Sequence, residues 1–91
     1  MVQKTVKVIN RLGMHARPSA MFVNHASRYK SEIFIEKAGL KVNGKSIIGV
    51  MTLAAEMGAE LILHADGIDE KEALRDLTNL VTSGFGELKN L

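Results

Sequence analysis

Apolar residues along this chain switch period in an order that few folds can satisfy: two, 3.6, two twice in succession, 3.6, two and 3.6 again. Val2, Val6 and Val8 occupy even positions with Gln3, Thr5 and Lys7 between them, which predicts a half-buried strand over residues 2–9. Asn10–Met14 contains Gly13 and reads as a loop. A helix is expected from His15 or Ala16, because Pro18 then sits in a first turn where its missing N–H loses no partner. Ala16, Ser19, Ala20, Phe22, Val23 and Ala26 fall on one side of that helix, and Arg17, Met21, Asn24, His25 and Arg28 on the other. Ile33, Phe34 and Ile35, followed after Gly39 by Leu40 and Val42, predict a hairpin. Ser46 suits the N-cap of a second helix running to about Met57, where Gly58 would stop it, and Glu60–Ala65 predicts a fourth strand. Asp69 and Glu72 resemble a capping box ahead of a stripe of Ala73, Leu74, Leu77, Leu80 and Val81, closed by Gly84 and Gly86.

The order strand, helix, strand, strand, helix, strand, helix lacks the regular alternation of a parallel sheet, and the short middle connection favours antiparallel pairing. The expected class is α+β: an open-faced sandwich in which a four-stranded antiparallel sheet carries three helices on one face. Residues 1–91 contain no repeat or low-complexity stretch and read as a single domain. A chain of this size buries only about 60–65% of the surface its unfolded form exposes, enough for one core but hardly for a deep enzyme cleft. A carrier or binding module is therefore expected rather than an enzyme. The absence of cysteine excludes disulfides, a thiol nucleophile and thiolate zinc sites, so stability must come from packing.

A formal charge of +2 is a small excess, and Phe22, Tyr29, Phe34 and Phe85 are not interleaved with cations as a nucleic-acid stacking platform requires. No direct nucleic-acid partner is expected. The alternating N-terminus does not resemble a signal peptide, and the longest nearly apolar run, Ile47 to Ala55, is about half a membrane span. The expectation is a cytoplasmic protein with no membrane insertion.

Gly13-Met14-His15-Ala16-Arg17-Pro18 places a histidine at the junction of a flexible loop and a helix N-terminus. The unpaired N–H groups of Ala16 and Arg17, the helix dipole and the Arg17 guanidinium all favour an anion there. A neutral imidazole is a competent nucleophile towards phosphorus, and the same groups would hold the phosphate placed on it. The plainer alternative is that His15 only caps a helix. His25 and His64 lack such surroundings and read as structural, and the histidine spacing carries no carboxylate at ligand distance, so no metal site is expected.

Gly39 to Ser46 matches the phosphate-cradling pattern G-x-x-x-x-G-K-[ST], yet Leu40 and Val42 are in strand alternation where a cradle needs a compact loop. A small nucleotide-binding protein is thus the weaker hypothesis. Ser46 is either a simple N-cap or a modifiable hydroxyl. On the second helix Met51 lies about 40° and Ile48 about 100° from Ile47, while Val50, Leu53 and Met57 cluster on another side. Either the core-facing arc is wide, or Ile47, Ile48 and Met51 form an exposed docking patch.

Taken together, the Gly13–Pro18 motif, Lys45-Ser46-Ile47-Ile48-Gly49-Val50-Met51, Gly58-Ala59-Glu60 and the segment from Asp66-Gly67 to Leu80 resemble the HPr family of histidine phosphocarriers of the bacterial phosphotransferase system. The resemblance extends over essentially the whole chain. It implies that His15 accepts a phosphoryl group on Nδ1 from phosphoenolpyruvate-charged enzyme I and passes it to enzyme IIA domains for sugar uptake, with no cofactor. It further implies that Arg17 stabilises the phosphohistidine and that Ser46 is the target of an HPr serine kinase/phosphorylase that informs a catabolite-control transcription regulator. Met21, Ile47, Ile48 and Met51 match the partner-docking surface. A retained His15 argues against the regulatory paralogue in which it is replaced. Asn10–His15 and Ser83-Gly84-Phe85 are also similar to the nitrogen-branch paralogue, which stands as the alternative duty.

Overall fold

In the computed structural model, which describes residues 1–87, the chain runs β1 (Val2–Lys7), α1 (Ala16–Ala26), β2 (Glu32–Lys37), β3 (Leu40–Asn43), α2 (Ile47–Thr52), β4 (Glu60–Asp66) and α3 (Glu70–Thr82), then a single 3-10 turn at Gly84–Gly86. The sheet order is β1-β4-β2-β3 and every pairing is antiparallel. This is the expected open-faced α+β sandwich. Register follows from the buried face: Val6 pairs with Leu61; Leu63, Ile35 and Val42 lie in one row across the sheet, and Val2, Ala65 and Ile33 in the next. A slip of one residue would turn Leu61, Leu63, Ile33 and Ile35 to solvent. They are instead buried with Phe22, Leu77, Val81 and Phe85 under the helices. Each such side chain contributes about 1.5–3 kcal/mol by burial.

Four expectations from the sequence need correction. The β1 ladder ends at Lys7 rather than Ile9, because the Val8 N–H donates to the Ala59 carbonyl and the Val8 carbonyl accepts from Gly58, pairing it with the turn ahead of β4. Ala16 is exposed although its helical phase matches the core stripe, since the stripe starts to find packing partners only at Pro18 and Ser19. Helix α2 stops at Thr52, five residues early. Ala54 adopts a left-handed φ of 47°, and Lys37 Nζ donates to the Leu53 and Ala54 carbonyls at 3.2 Å each, satisfying acceptors that a longer helix would have used. Met57 therefore belongs to no helix face and is exposed.

The fourth concerns Asp69, which makes no cap bond to its own helix. Its carboxylate accepts from the Ser31 hydroxyl and from the Lys30 and Ser31 N–H groups at 2.9 Å, tying the α1–β2 loop to the start of α3. Those bonds, the Ser31 hydroxyl foremost and then the Lys30 N–H, lower its pKa to about 2.

The literal phosphate-loop match folds as the alternation predicts. Leu40–Asn43 is a strand, and the next three N–H groups are taken: Gly44 by the Ile33 carbonyl, Lys45 by the Asn43 side chain and Ser46 by the Asn43 carbonyl. Those three donors are therefore not free to cradle a nucleotide phosphate.

Candidate functional site

The loop before α1 is built to hold its last residue in one place. Gly13 has φ +65°, and a Cβ there would lie 2.3 Å from the Ala55 carbonyl oxygen, so only glycine lets this loop close against the segment after α2. The Met14 N–H donates to that same Ala55 carbonyl at 2.8 Å. Buried Ser19 donates its hydroxyl to the Met14 carbonyl at 2.9 Å, which explains a polar side chain on the core face of α1. Asn10, fully buried, donates to the Gly13 carbonyl at 2.8 Å.

His15 is the N-cap of α1 in extended backbone and makes no side-chain cap bond. The first intrahelical bond is Ser19 N–H to the His15 carbonyl, so Ala16 and Arg17 keep N–H groups with no helical partner while Pro18 has none to offer. The imidazole thus stands beside two backbone donors that have no partner among the described residues and the positive end of an eleven-residue helix. Arg17 is more than half exposed, with its guanidinium on the same side.

A third side chain completes the cluster, one that sequence reasoning missed. Glu87 Oε2 lies 3.0 Å from His15 Nε2 and accepts from Arg17 Nη1 at 2.8 Å, while its Oε1 accepts from the Asn10 amide at 2.9 Å. The chain reaches this position through three successive left-handed residues, Gly84, Phe85 and Gly86, with φ of 68°, 57° and 75°. Phe85 is fully buried, and its burial offsets the roughly 1–3 kcal/mol that a non-glycine residue costs in that conformation. An aromatic between two glycines after an amphipathic helix was the available signal: it anchors a chain reversal that returns the next residues towards α1. Burial works against the ionised form of Glu87, yet hydrogen bonds from Asn10 and His15, the charge on His15 and the bond from Arg17 outweigh it and hold the carboxyl below its usual range.

The other histidines are engaged structurally. His25 Nδ1 lies 2.9 Å from Asp76, which also accepts from the Tyr29 hydroxyl at 2.7 Å, bridging α1 and α3. The Asp76 hydrogen bond, with burial, pushes the Tyr29 hydroxyl up to about 12. His64, on the open face of the sheet, pairs with Glu36 at 3.0 Å.

Ser46 caps α2 by accepting the Gly49 N–H at 3.1 Å, and is half-buried. Lys45 folds back, its Nζ donating to the Tyr29 carbonyl at 2.7 Å. Ile47, Ile48 and Met51 are 44%, 81% and 43% exposed, whereas Val50 and Leu53 of the same helix are buried. The wide-core alternative for α2 is thereby excluded. Met21 is only half available, partly buried against the core. Leu12, three residues before His15, is an exposed apolar side chain that the periodicity argument did not reach. Among the described residues no helix is long and apolar enough to cross a membrane.

Comparison with known proteins adds a family context. Residues 2–83 match the PTS-HPr family model, described as "PTS HPr component phosphorylation site". The chain is 48% identical over 87 residues to the phosphocarrier protein HPr of Neisseria meningitidis, covering 96% of this chain and 98% of that protein. It is also 51% identical over 81 residues to the HPr-like protein Crh of Bacillus subtilis, covering 89% and 95%. The crystal structure of HPr-C-His from Thermoanaerobacter tengcongensis superposes with a TM-score of 0.92 at 46% identity, over 96% of this chain and 98% of that one.

Proposed function

The chain belongs to the HPr family of phosphotransferase-system phosphocarriers, and from that premise we propose that His15 carries the phosphoryl group, taking it from phosphoenolpyruvate-charged enzyme I and passing it to enzyme IIA domains for sugar uptake. One observation carries this reading: among the described residues His15 alone combines a partly exposed imidazole with unpartnered helix N–H groups and a guanidinium. Its Nε2 is engaged by Glu87 and, among the described residues, Nδ1 makes no hydrogen bond, so Nδ1 is the ring nitrogen available to attack phosphorus. The Ala16 and Arg17 N–H groups and the Arg17 side chain then face the charge that develops. Such a carrier works in the cytoplasm alongside both partners. Relatives named phosphocarrier protein HPr at 48% identity favour the sugar branch over the nitrogen branch.

Ser46 is the regulatory site in this reading, addressed by an HPr serine kinase/phosphorylase and read by a catabolite-control transcription regulator. Its place beside the exposed Ile47, Ile48 and Met51 supports an effect on docking rather than on the imidazole.

The test is incubation with phosphoenolpyruvate and enzyme I, compared with ATP alone. An acid-labile label dependent on phosphoenolpyruvate is expected, and labelling by ATP alone without any kinase would contradict the carrier role. Arg17→Ala should slow the transfer about ten- to a hundredfold with little change in melting, since an exposed cation acts on developing charge and not on packing. Arg17→Lys should recover part of the rate, because it restores the charge but not the planar fork. Wild-type transfer kinetics in Arg17→Ala would show that the helix N-terminus alone suffices.

A further inference from the structure

We infer that Glu87 is a positioning residue for phosphoryl transfer, fixing the His15 ring with its proton on Nε2 and its lone pair on Nδ1. This rests on His15 as the acceptor, but its structural half can be measured without any transfer. Three observations carry it. Oε2 of Glu87 is 3.0 Å from Nε2 and not from Nδ1, so it selects one ring nitrogen. The carboxylate is itself held from the far side by the buried Asn10 amide at 2.9 Å and from the flank by Arg17 at 2.8 Å, so it cannot swing away freely. Phe85, buried between two glycines, fixes the backbone that delivers it.

The chemistry follows from what each group can do. An ionised carboxylate has no proton to give and only accepts, so the hydrogen in the His15–Glu87 contact must sit on Nε2. In a neutral imidazole that leaves the lone pair on Nδ1. During transfer the Nδ1–P bond forms while the bond from phosphorus to the donor breaks, its electron pair leaving with the donor. The ring then carries positive charge with its proton still on Nε2, against Glu87 Oε2. Stabilisation of that charge exceeds the stabilisation of the neutral ring, which is what accelerates a step. Arg17 shares the same oxygen and weakens the effect without abolishing it, because a carboxylate oxygen can accept two hydrogen bonds. An opposite reading makes Glu87 a resident anion that blocks the phosphate position, and the two differ in the sign of the rate change.

The experiment compares wild type, Glu87→Ala and Glu87→Gln by nitrogen NMR of the His15 ring, by enzyme I-dependent transfer rate and by melting temperature. Wild type should show the Nε2–H tautomer predominating. Glu87→Ala should mix the two tautomers and slow transfer about tenfold with unchanged melting. Glu87→Gln can still accept from Nε2–H through its amide oxygen, so it should retain the tautomer while recovering only part of the rate. An unchanged tautomer and rate in Glu87→Ala would overturn the inference, and faster transfer would replace it with the blocking role. Absence of phosphorylation at His15 in the wild type would instead remove the acceptor assignment, while the tautomer comparison would still decide whether Glu87 controls the ring.

Discussion

His15→Ala is expected to abolish phosphoenolpyruvate-dependent labelling altogether while the protein still melts cooperatively, at most about 8 °C below wild type. The loss should be complete because neither remaining histidine can substitute. His25, in the last turn of α1, has Nδ1 committed to Asp76, and His64, within β4, pairs with Glu36 across the open face of the sheet, so neither ring stands at a helix N-terminus. Stability should hardly change, because the substitution removes one partly exposed pair with Glu87, worth at most about 1 kcal/mol. That corresponds to no more than about 4–8 °C for a domain of this size. Mass spectrometry under alkaline conditions, which spare a phosphoramidate, gives the readout. A persistent acid-labile label in the variant would end the assignment to His15.

Much of this site was legible in the sequence because its main parts are local. His15, Ala16 and Arg17 are neighbours at a helix start that Pro18 marks, so the N–H groups, the dipole and the guanidinium could be placed together without any tertiary information. The strands were legible for the same reason: the alternation of Val2 and Val6, of Ile33 and Ile35 and of Leu61, Leu63 and Ala65 names the buried face directly. What could not be read depends on side chains far apart in the chain. Glu87 reaches His15 only because Phe85 inserts into a core contributed by other elements. Helix α2 ends where Lys37 of β2 satisfies its last carbonyls, and Asp69 leaves its own helix to bond Ser31. In the last two cases a hydrogen bond between distant parts of the chain overrides a local preference, and in the first a long-range apolar contact sets the path of the chain.

Ile48→Asp combined with Met51→Asp should raise the KM for enzyme I about a hundredfold with kcat and melting nearly unchanged. Ile48 is 81% exposed and Met51 43%, so neither is needed to fill the core that Val50 and Leu53 occupy from the same helix. Burying two such side chains against a partner yields about 1.5–3 kcal/mol each at full desolvation. Loss of even half of that total, plus the cost of presenting carboxylates to an apolar surface, reaches the tenfold per 1.4 kcal/mol that the expected ratio needs. Phosphorylation of Ser46 should act on the same surface more weakly, since about −1.5 to −2 charges beside the patch act through solvent and are screened by salt. Ser46→Asp, whose carboxylate can take over the cap bond from Gly49, should therefore raise KM only severalfold, and less at high salt than at low. The ordering decides the mechanism. A Ser46→Asp effect that exceeds the double substitution would make charge, not apolar burial, the basis of docking. Wild-type KM in the double variant would remove Ile48 and Met51 from the interface.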